Sequence, residues 1–312
     1  MNKGAERLSE KKWGVFTHYL DGVCNPASSC NMDVGEISWN DAVNMFDVER
    51  VAYRLHKMNV GYYFITLMQG TEHMMAPNAT FDRIAGTKPG EACSTRDLPM
   101  ELYDALKKYD IDLCLYFTGD GPYRHPKYGP IFGLTQPRTE IPMDFLEKWS
   151  AVLEEYAVRY GDKITAWWMD GTFRFFGYSF EQLDYYYNAI KKGNPDAAVA
   201  FNYEGVEGMV LKHYPKEEFT AGESRELKPK AQQTKYIDGA LNHILAPIGY
   251  DPTFRSAGWL MTGIKHPKEY VRDYIRAMSN IGGAVTIDMH IKIDGSFDPE
   301  QEAFLRWVGE NL

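Results

Sequence analysis

The chain has no apolar stretch of about 20 residues, so no segment reads as a membrane span. Its start, MNKGAERLSEKKWG, is charged but carries neither an apolar h-region nor a small-residue cleavage site. A secretory signal is therefore not read, and the expected location is the cytoplasm. Cysteine is scarce. Cys24, Cys30, Cys93 and Cys114 fit no CxxC spacing for zinc. They read as free thiols, with Cys114 in the core run IDLCLYF and no bridge expected between Cys24 and Cys30 in a reducing compartment. Basic charge is in deficit: 34 Lys plus Arg face 43 Asp plus Glu, a net charge of −9. That argues against a nucleic-acid partner, whose phosphates must be neutralised by Lys and Arg. No linker or low-complexity run divides the chain, which reads as one domain over 1–312. No GxGxxG follows an early strand, which weakens an open dinucleotide-binding sheet.

What is present is ordinary apolar and charged content, 44% and 25% of 312 residues, which excludes a disordered, coiled-coil or collagenous chain. Aromatic residues reach 14%, with 7 Trp, 21 Tyr and 16 Phe. So many rings imply a large core, a pocket walled by the flat apolar faces that sugars prefer, or both.

Short runs rich in β-branched and aromatic residues alternate with longer amphipathic ones. The expected strands are 13–20, 61–67, 111–117, 164–170, 197–202, 218–223, 257–261 and 283–289. Helical patterns lie between them over 40–58, 98–109, 142–160, 180–190, 267–278 and 299–308, several opened by Pro and one by Asp97. Eightfold β/α alternation with nearly continuous apolar strands predicts an α/β fold, a (β/α)8 TIM-like barrel.

In such a barrel the site lies at the C-terminal strand ends. Those ends carry His18, Gln69, Tyr116, the pair Trp167 and Trp168, Asp170, Asn202, Glu223 and Trp259. An Asp ending an apolar strand is costly to desolvate without partners or a task. In WMDG it is either a turn cap or a reactive carboxylate beneath two indoles. A retaining glycosidase needs a second carboxyl group about 5–5.5 Å away, kept protonated. Glu223 and Glu204 are the best placed. Glu207, Glu217, Glu218 and Glu226 read as solvated charges. His18 is either a satisfied core imidazole or a donor to a sugar hydroxyl. With Asp288 and His290 it also sketches a weak metal motif, but scattered His and Asp on barrel strands are common without metal, and none is expected.

These residues resemble glycoside hydrolase family 29, the α-L-fucosidases, over nearly the whole length. WGVFTHYL is similar to the family's opening strand, whose His contacts the sugar, here His18. RDLPMELYDALKKYDIDLCLYFTGD resembles its third βα unit, with the strand-end Tyr at Tyr116. WWMDG is similar to the segment that carries the nucleophile, here Asp170, and EEFTAGE to a D-F-x-x-x-E pattern that carries the acid/base, here Glu223 with Glu204 as the alternative. The closing segment, RAMSNIGGAVTIDMHIKIDGSFDPEQEAFLRWVGENL, looks like the family's last unit. A Lys-His-His-Asp-Gly run that binds fucose hydroxyls is replaced by LMQGTEHMM, where Gln69 or His73 stands in, and FNYEG lacks the family's Arg. The β-sandwich that follows the barrel in many relatives is not expected. The resemblance implies a retaining exo-glycosidase for α-L-fucose or a related sugar, with no cofactor and a carbohydrate as substrate. It implies sugar contacts from His18, Gln69, His73, Tyr116, Trp167, Trp168, Asn202 and Trp259. The aromatic content also leaves room for a homo-oligomer. A metal-dependent sugar isomerase or lyase, and a catalytically inactive carbohydrate-binding homologue, are the alternatives.

Overall fold

Successive side chains of a strand point to opposite faces, so a strand that is apolar at every position must be covered on both sides. The computed structural model describes residues 2–20, 38–69, 73–135, 140–203, 210–227 and 233–312, and it resolves this demand as a barrel. Five strands come first: β1 Trp13–Thr17, β2 Tyr62–Met68, β3 Asp112–Thr118, β4 Ile164–Asp170 and β5 Ala198–Phe201. The hairpin β6 Tyr236–Ile237 and β7 Ala240–Leu241 follows, then β8 His243–Pro247, the hairpin β9 Tyr250–Asp251 and β10 Ser256–Ala257, and finally β11 Ala284–Asp288. A seven-stranded sheet runs in the order β5-β4-β3-β2-β1-β11-β8. Every pairing in it is parallel.

The helices α1 Lys3–Lys11, α2 Trp39–Met45, α3 Val48–Lys57, α4 Ala79–Ala85, α5 Leu98–Lys107, α6 Tyr128–Phe132, α7 Met143–Tyr160, α8 Phe180–Gly193, α9 Lys268–Asn280 and α10 Pro299–Glu310, with the short 3-10 helices Gly161–Lys163 and Arg174–Phe176, complete the described elements. Val15, Ile65, Leu115, Trp167, Val199 and Ile287 face outward into the layer shared with the helices. Phe16, Phe64, Tyr116, Trp168, Ala200 and Leu245 face inward and fill the barrel. Helix α1, preceding the first strand, stoppers the bottom: Ala5 and Leu8 pack into that inner cluster with Ala166, Ala198 and Ala284. Its approach requires Gly4, where a Cβ would stand 2.4 Å from the Thr165 carbonyl oxygen.

Segment 217–224 closes the ring between the sheet edges. Toward β8 it forms a parallel ladder, with the Leu245 amide donating to Gly222 O at 3.1 Å and the Ser224 amide to Leu245 O at 2.9 Å. Toward β5 the Glu218 amide donates to Val199 O at 3.1 Å, and two side chains stand in for backbone acceptors. The Val199 amide donates to Glu218 Oε2 at 2.9 Å and the Phe201 amide to Glu217 Oε1 at 2.7 Å. Buried backbone donors at a sheet edge need acceptors, and these carboxyl groups supply them.

Several expectations are corrected. Glu217 and Glu218 are not solvated charges: Glu217 is buried, and Glu218 pairs with Lys191 at 2.7 Å. Glu207 lies outside the described residues. The 40–58 helix is two helices, because Asp47 accepts from the Arg50 amide and caps a new start while Phe46 is extended. Run 257–261 is not a barrel strand. Ala257 ends a hairpin, and Leu260 has φ +62°, a left-handed conformation incompatible with a strand. The barrel strand there is β8. Its His243 is polar in the sequence but satisfied in the core, with Nδ1 at 3.0 Å from Thr220 O and Nε2 at 2.7 Å from Thr286 Oγ1. Cys114 is buried in the inner cluster as expected, while Cys24 and Cys30 lie outside the described residues. Among the described residues no helix is long and apolar enough to cross a membrane.

Leu8→Ala removes an apolar side chain from the stoppered end of the barrel. The expected cost is about 2–5 kcal/mol, read as a lower denaturation midpoint with an unchanged slope.

Candidate active site

The inward side chains at the upper strand ends surround a cavity of about 210 Å³. Its walls include His18 from the end of β1, Gln69 after β2, Tyr116 from β3, Trp168 and Asp170 from β4, and Glu223 from the closing segment. Trp259 lies across from them, near the ring of His18 at 5.8 Å.

Asp170 is held at both ends. Its backbone carbonyl accepts from the Gly119 amide at 2.6 Å. The next residue, Gly171, has φ +64°, and a Cβ there would meet the Asp120 carboxyl group at 2.7 Å. Its carboxylate meets three donors. Tyr116 hydroxyl and Gln69 Nε2 (3.4 Å) donate to Oδ2, and Asn202 Nδ2 donates to Oδ1 at 2.8 Å. The WMDG Asp is thus anchored inside the cavity and is not a solvent-facing turn cap.

Asn202 also donates to Glu223 Oε2, at 2.5 Å. One amide nitrogen serves both acids, so Asp170 Oδ1 and Glu223 Oε2 cannot stand farther apart than the sum of those two bonds. That limit falls short of the roughly 6.5–9.5 Å of inverting glycosidases and admits the roughly 5–5.5 Å of retaining ones. Burial first, and then the charge of Asp170, push the Glu223 carboxyl group up to about 7, against hydrogen bonding from Asn202 and the charges of His18 and Arg225. The same two causes, burial ahead of Asp170, drive the Tyr116 hydroxyl far upward, so it remains a proton donor.

Trp168 joins the two halves of this arrangement. Its ring stacks on Tyr116 at 5.3 Å, and its Nε1 donates to Ala221 O at 3.0 Å, two residues before Glu223. Between them Gly222 has φ +63°, and a Cβ there would sit 1.9 Å from His243 O, so only glycine fits. On the opposite wall His18 Nδ1 lies 2.8 Å from Asp288 Oδ1, with both side chains buried. A carboxylate only accepts, so Nδ1 donates, leaving Nε2 for other partners. Asp288 here orients an imidazole. Among the described residues no cluster of His, Cys, Asp and Glu could hold a metal ion.

His18, Gln69, Tyr116, Trp168, Asp170, Glu223 and Trp259 therefore share one cavity, and Asn202 bonds both of its acids. Two expected sugar contacts lie elsewhere. Trp167 faces outward into the helix layer, because neighbours on a strand point to opposite faces. His73 sits beside the Trp39 ring at 6.0 Å, outside the cavity walls, since the chain has left the strand end by then. Glu204 lies outside the described residues. Phe16, Leu245 and Leu260 line the cavity without having been read as site residues. Phe16 shares the face of His18 two positions away, a signal in the alternation itself. Leu245 belongs to the strand that the sequence disguised.

No protein-family model matches the sequence, and no curated protein matches it either. Solved structures do share the fold. An endo-fucoidan hydrolase of glycoside hydrolase family 107, MfFcnA9, superposes with a TM-score of 0.71 at 13% identity, over 99% of this chain and 64% of that one. This chain thus spans less than two thirds of that structure. A second such hydrolase, P5AFcnA, gives 0.70 at 12% identity, over 98% and 92%. An α-L-fucosidase of family 29 from Bacteroides thetaiotaomicron gives 0.63 at 18% identity, over 99% and 73%. At such identities the likeness establishes the fold, a TIM-like barrel.

A carboxyl group raised in the folded state contributes stability that is complete in acid and is lost as pH rises from its unfolded value toward about 7. Glu223→Gln keeps an acceptor for Asn202 but cannot ionise. Between pH 5 and pH 8 its melting temperature should therefore fall less than that of the wild type. Equal falls, measured by calorimetry, would show that Glu223 does not titrate there.

Proposed function

We propose that this chain is a retaining glycoside hydrolase of the α-L-fucosidase type, acting on a terminal α-L-fucose or a stereochemically related sugar. The observation that carries the reading is the pair Asp170 and Glu223, bridged by one Asn202 amide beneath the stacked Tyr116 and Trp168 rings. The fold shared with structures described as fucosidases and endo-fucoidan hydrolases supports it. So does the size of the cavity, about 210 Å³, which suits one terminal ring.

In this mechanism an Asp170 carboxylate oxygen attacks the anomeric carbon as the bond to the leaving oxygen breaks. Glu223, protonated because burial and Asp170 raise it to about 7, passes its proton to that oxygen. Its carboxylate then takes a proton from water, which attacks the glycosyl ester and expels Asp170, with net retention. Asn202 and the Tyr116 hydroxyl hold Asp170 in line for the attack. As the sugar takes the charge of Asp170 into an ester, the repulsion that raised Glu223 disappears. Its acidity then shifts toward that of a base for the second step. Trp168 and Trp259 offer rings to the apolar face of the sugar, and His18 and Gln69 offer polar groups to its hydroxyls. The reading asks for no cofactor.

Asp170→Asn should lower turnover of an aryl α-L-fucoside by roughly 10⁴-fold or more, with an unchanged circular dichroism spectrum. A near-wild-type rate would refute the nucleophile assignment. The first-formed product, followed by NMR, should keep the anomeric configuration, and inversion would refute the double displacement. The wild-type kcat/KM should decline as pH rises through about 7, because Glu223 must carry its proton to act as the acid. Glu223→Gln should lack that limb.

A further inference from the structure

A second cavity, of about 470 Å³, is lined by the residues that continue the two strand ends of the first. Arg174 lies four positions beyond Asp170, and Tyr203 directly follows Asn202. Thr172 ties these two loops together by donating to Asn202 O at 3.0 Å, and Arg174 Nη1 bridges them farther out by donating to the Tyr203 hydroxyl at 3.1 Å. The loop that leaves Asp170 and the residue that follows Asn202 thus both reach the second cavity.

The chemistry of the second cavity differs from that of the first. Arg174 and Lys212 both line it, and neither has a carboxylate within ion-pair distance among the described residues. Lys212 Nζ donates to the backbone oxygen of Asp238, at 3.3 Å. Arg174 and Lys212 thus both bring positive charge to this cavity, in a chain whose net charge is −9. Flat rings lie between them. Tyr203 packs on the imidazole of His213 at 4.2 Å, Phe180 lies 6.1 Å from the same ring, and Phe175, next to Arg174, is 58% exposed. His213 Nε2 has no hydrogen-bond partner among the described residues. Burial and the charge of Arg174 lower that imidazole to about 4, so it is neutral and suited to a hydroxyl. Rings for an apolar sugar face, a neutral imidazole for a hydroxyl and two cations for an anion make one recognition set.

We infer that this cavity binds an anionic saccharide unit, carboxylated or sulfated, on the leaving-group side of the scissile bond. The assignment to the leaving-group side rests on the hydrolase reading above, and the anion preference rests on Arg174 and Lys212 themselves.

The test compares kcat/KM for three α-L-fucosides that differ only in the leaving sugar: galactose, a galactose sulfate and galacturonate. The wild type should cleave at least one anionic substrate roughly tenfold faster than the neutral one, with the advantage shrinking at 0.5 M salt. The faster of the two anionic substrates identifies the anion. In R174Q/K212Q the advantage should fall toward one. Equal rates on all three substrates, or an advantage that survives in the variant, would overturn the inference. If no fucoside is cleaved at all, the fucose assignment of the first cavity fails by itself. Calorimetric titration with the same three free sugars then decides the cavity. Anion-selective binding that is lost in R174Q/K212Q upholds the anion site, and unselective or absent binding overturns it.

Discussion

Two carboxyl groups crowded into one cavity repel each other, and the site is arranged around that repulsion. Asn202 donates to both, which fixes their separation while leaving each acid its own environment. Asp170 gathers two more donors, from Tyr116 and Gln69. Glu223 is the partner that burial and the neighbouring charge drive upward. The hydrogen bonding is thus asymmetric: Asp170 takes three donors, while Glu223 is the acid whose proton is held more tightly.

Holding this pair in register requires the barrel to be closed, and closure occurs at its least regular point. The Glu223 segment is not a full strand. It ladders onto β8, while the side chains of Glu217 and Glu218 take over the acceptor role toward β5. Burial lifts Glu217 to about 8, despite the backbone N–H groups of Phe201, His213 and Tyr214. Trp168 couples this seam to the barrel sheet, since one indole on β4 both stacks on Tyr116 and bonds Ala221. The tryptophan that walls the cavity therefore also aligns the backbone that presents Glu223.

The mouth of the barrel is also electrically uneven. Acidic side chains dominate the chain as a whole, yet Arg174 and Lys212 sit together on the rim beyond Asp170 and Asn202. Charges that line a cavity bear on a ligand more directly than net charge does, because exposed charges act mainly within about 10 Å.

Most of the barrel was legible from residue type alone, because β1 to β5 and β11 are apolar runs whose only stable setting is a sheet covered on both faces. The same logic located Asp170, an expensive charge at the end of such a run. It failed at β8, where the polarity of His243 hid a strand satisfied by Thr220 and Thr286, partners distant in sequence. It also placed both Trp167 and Trp168 at the sugar, although the pleat sends one inward and the other into the helix layer. Local pattern determined which segments are strands and where their ends carry chemistry, since period and burial are local properties. Only the folded chain decided which side chains meet. The bridge by Asn202, the orientation of His18 by Asp288 and the use of glutamates as strand acceptors all join residues far apart in the chain, and no periodicity encodes such distances.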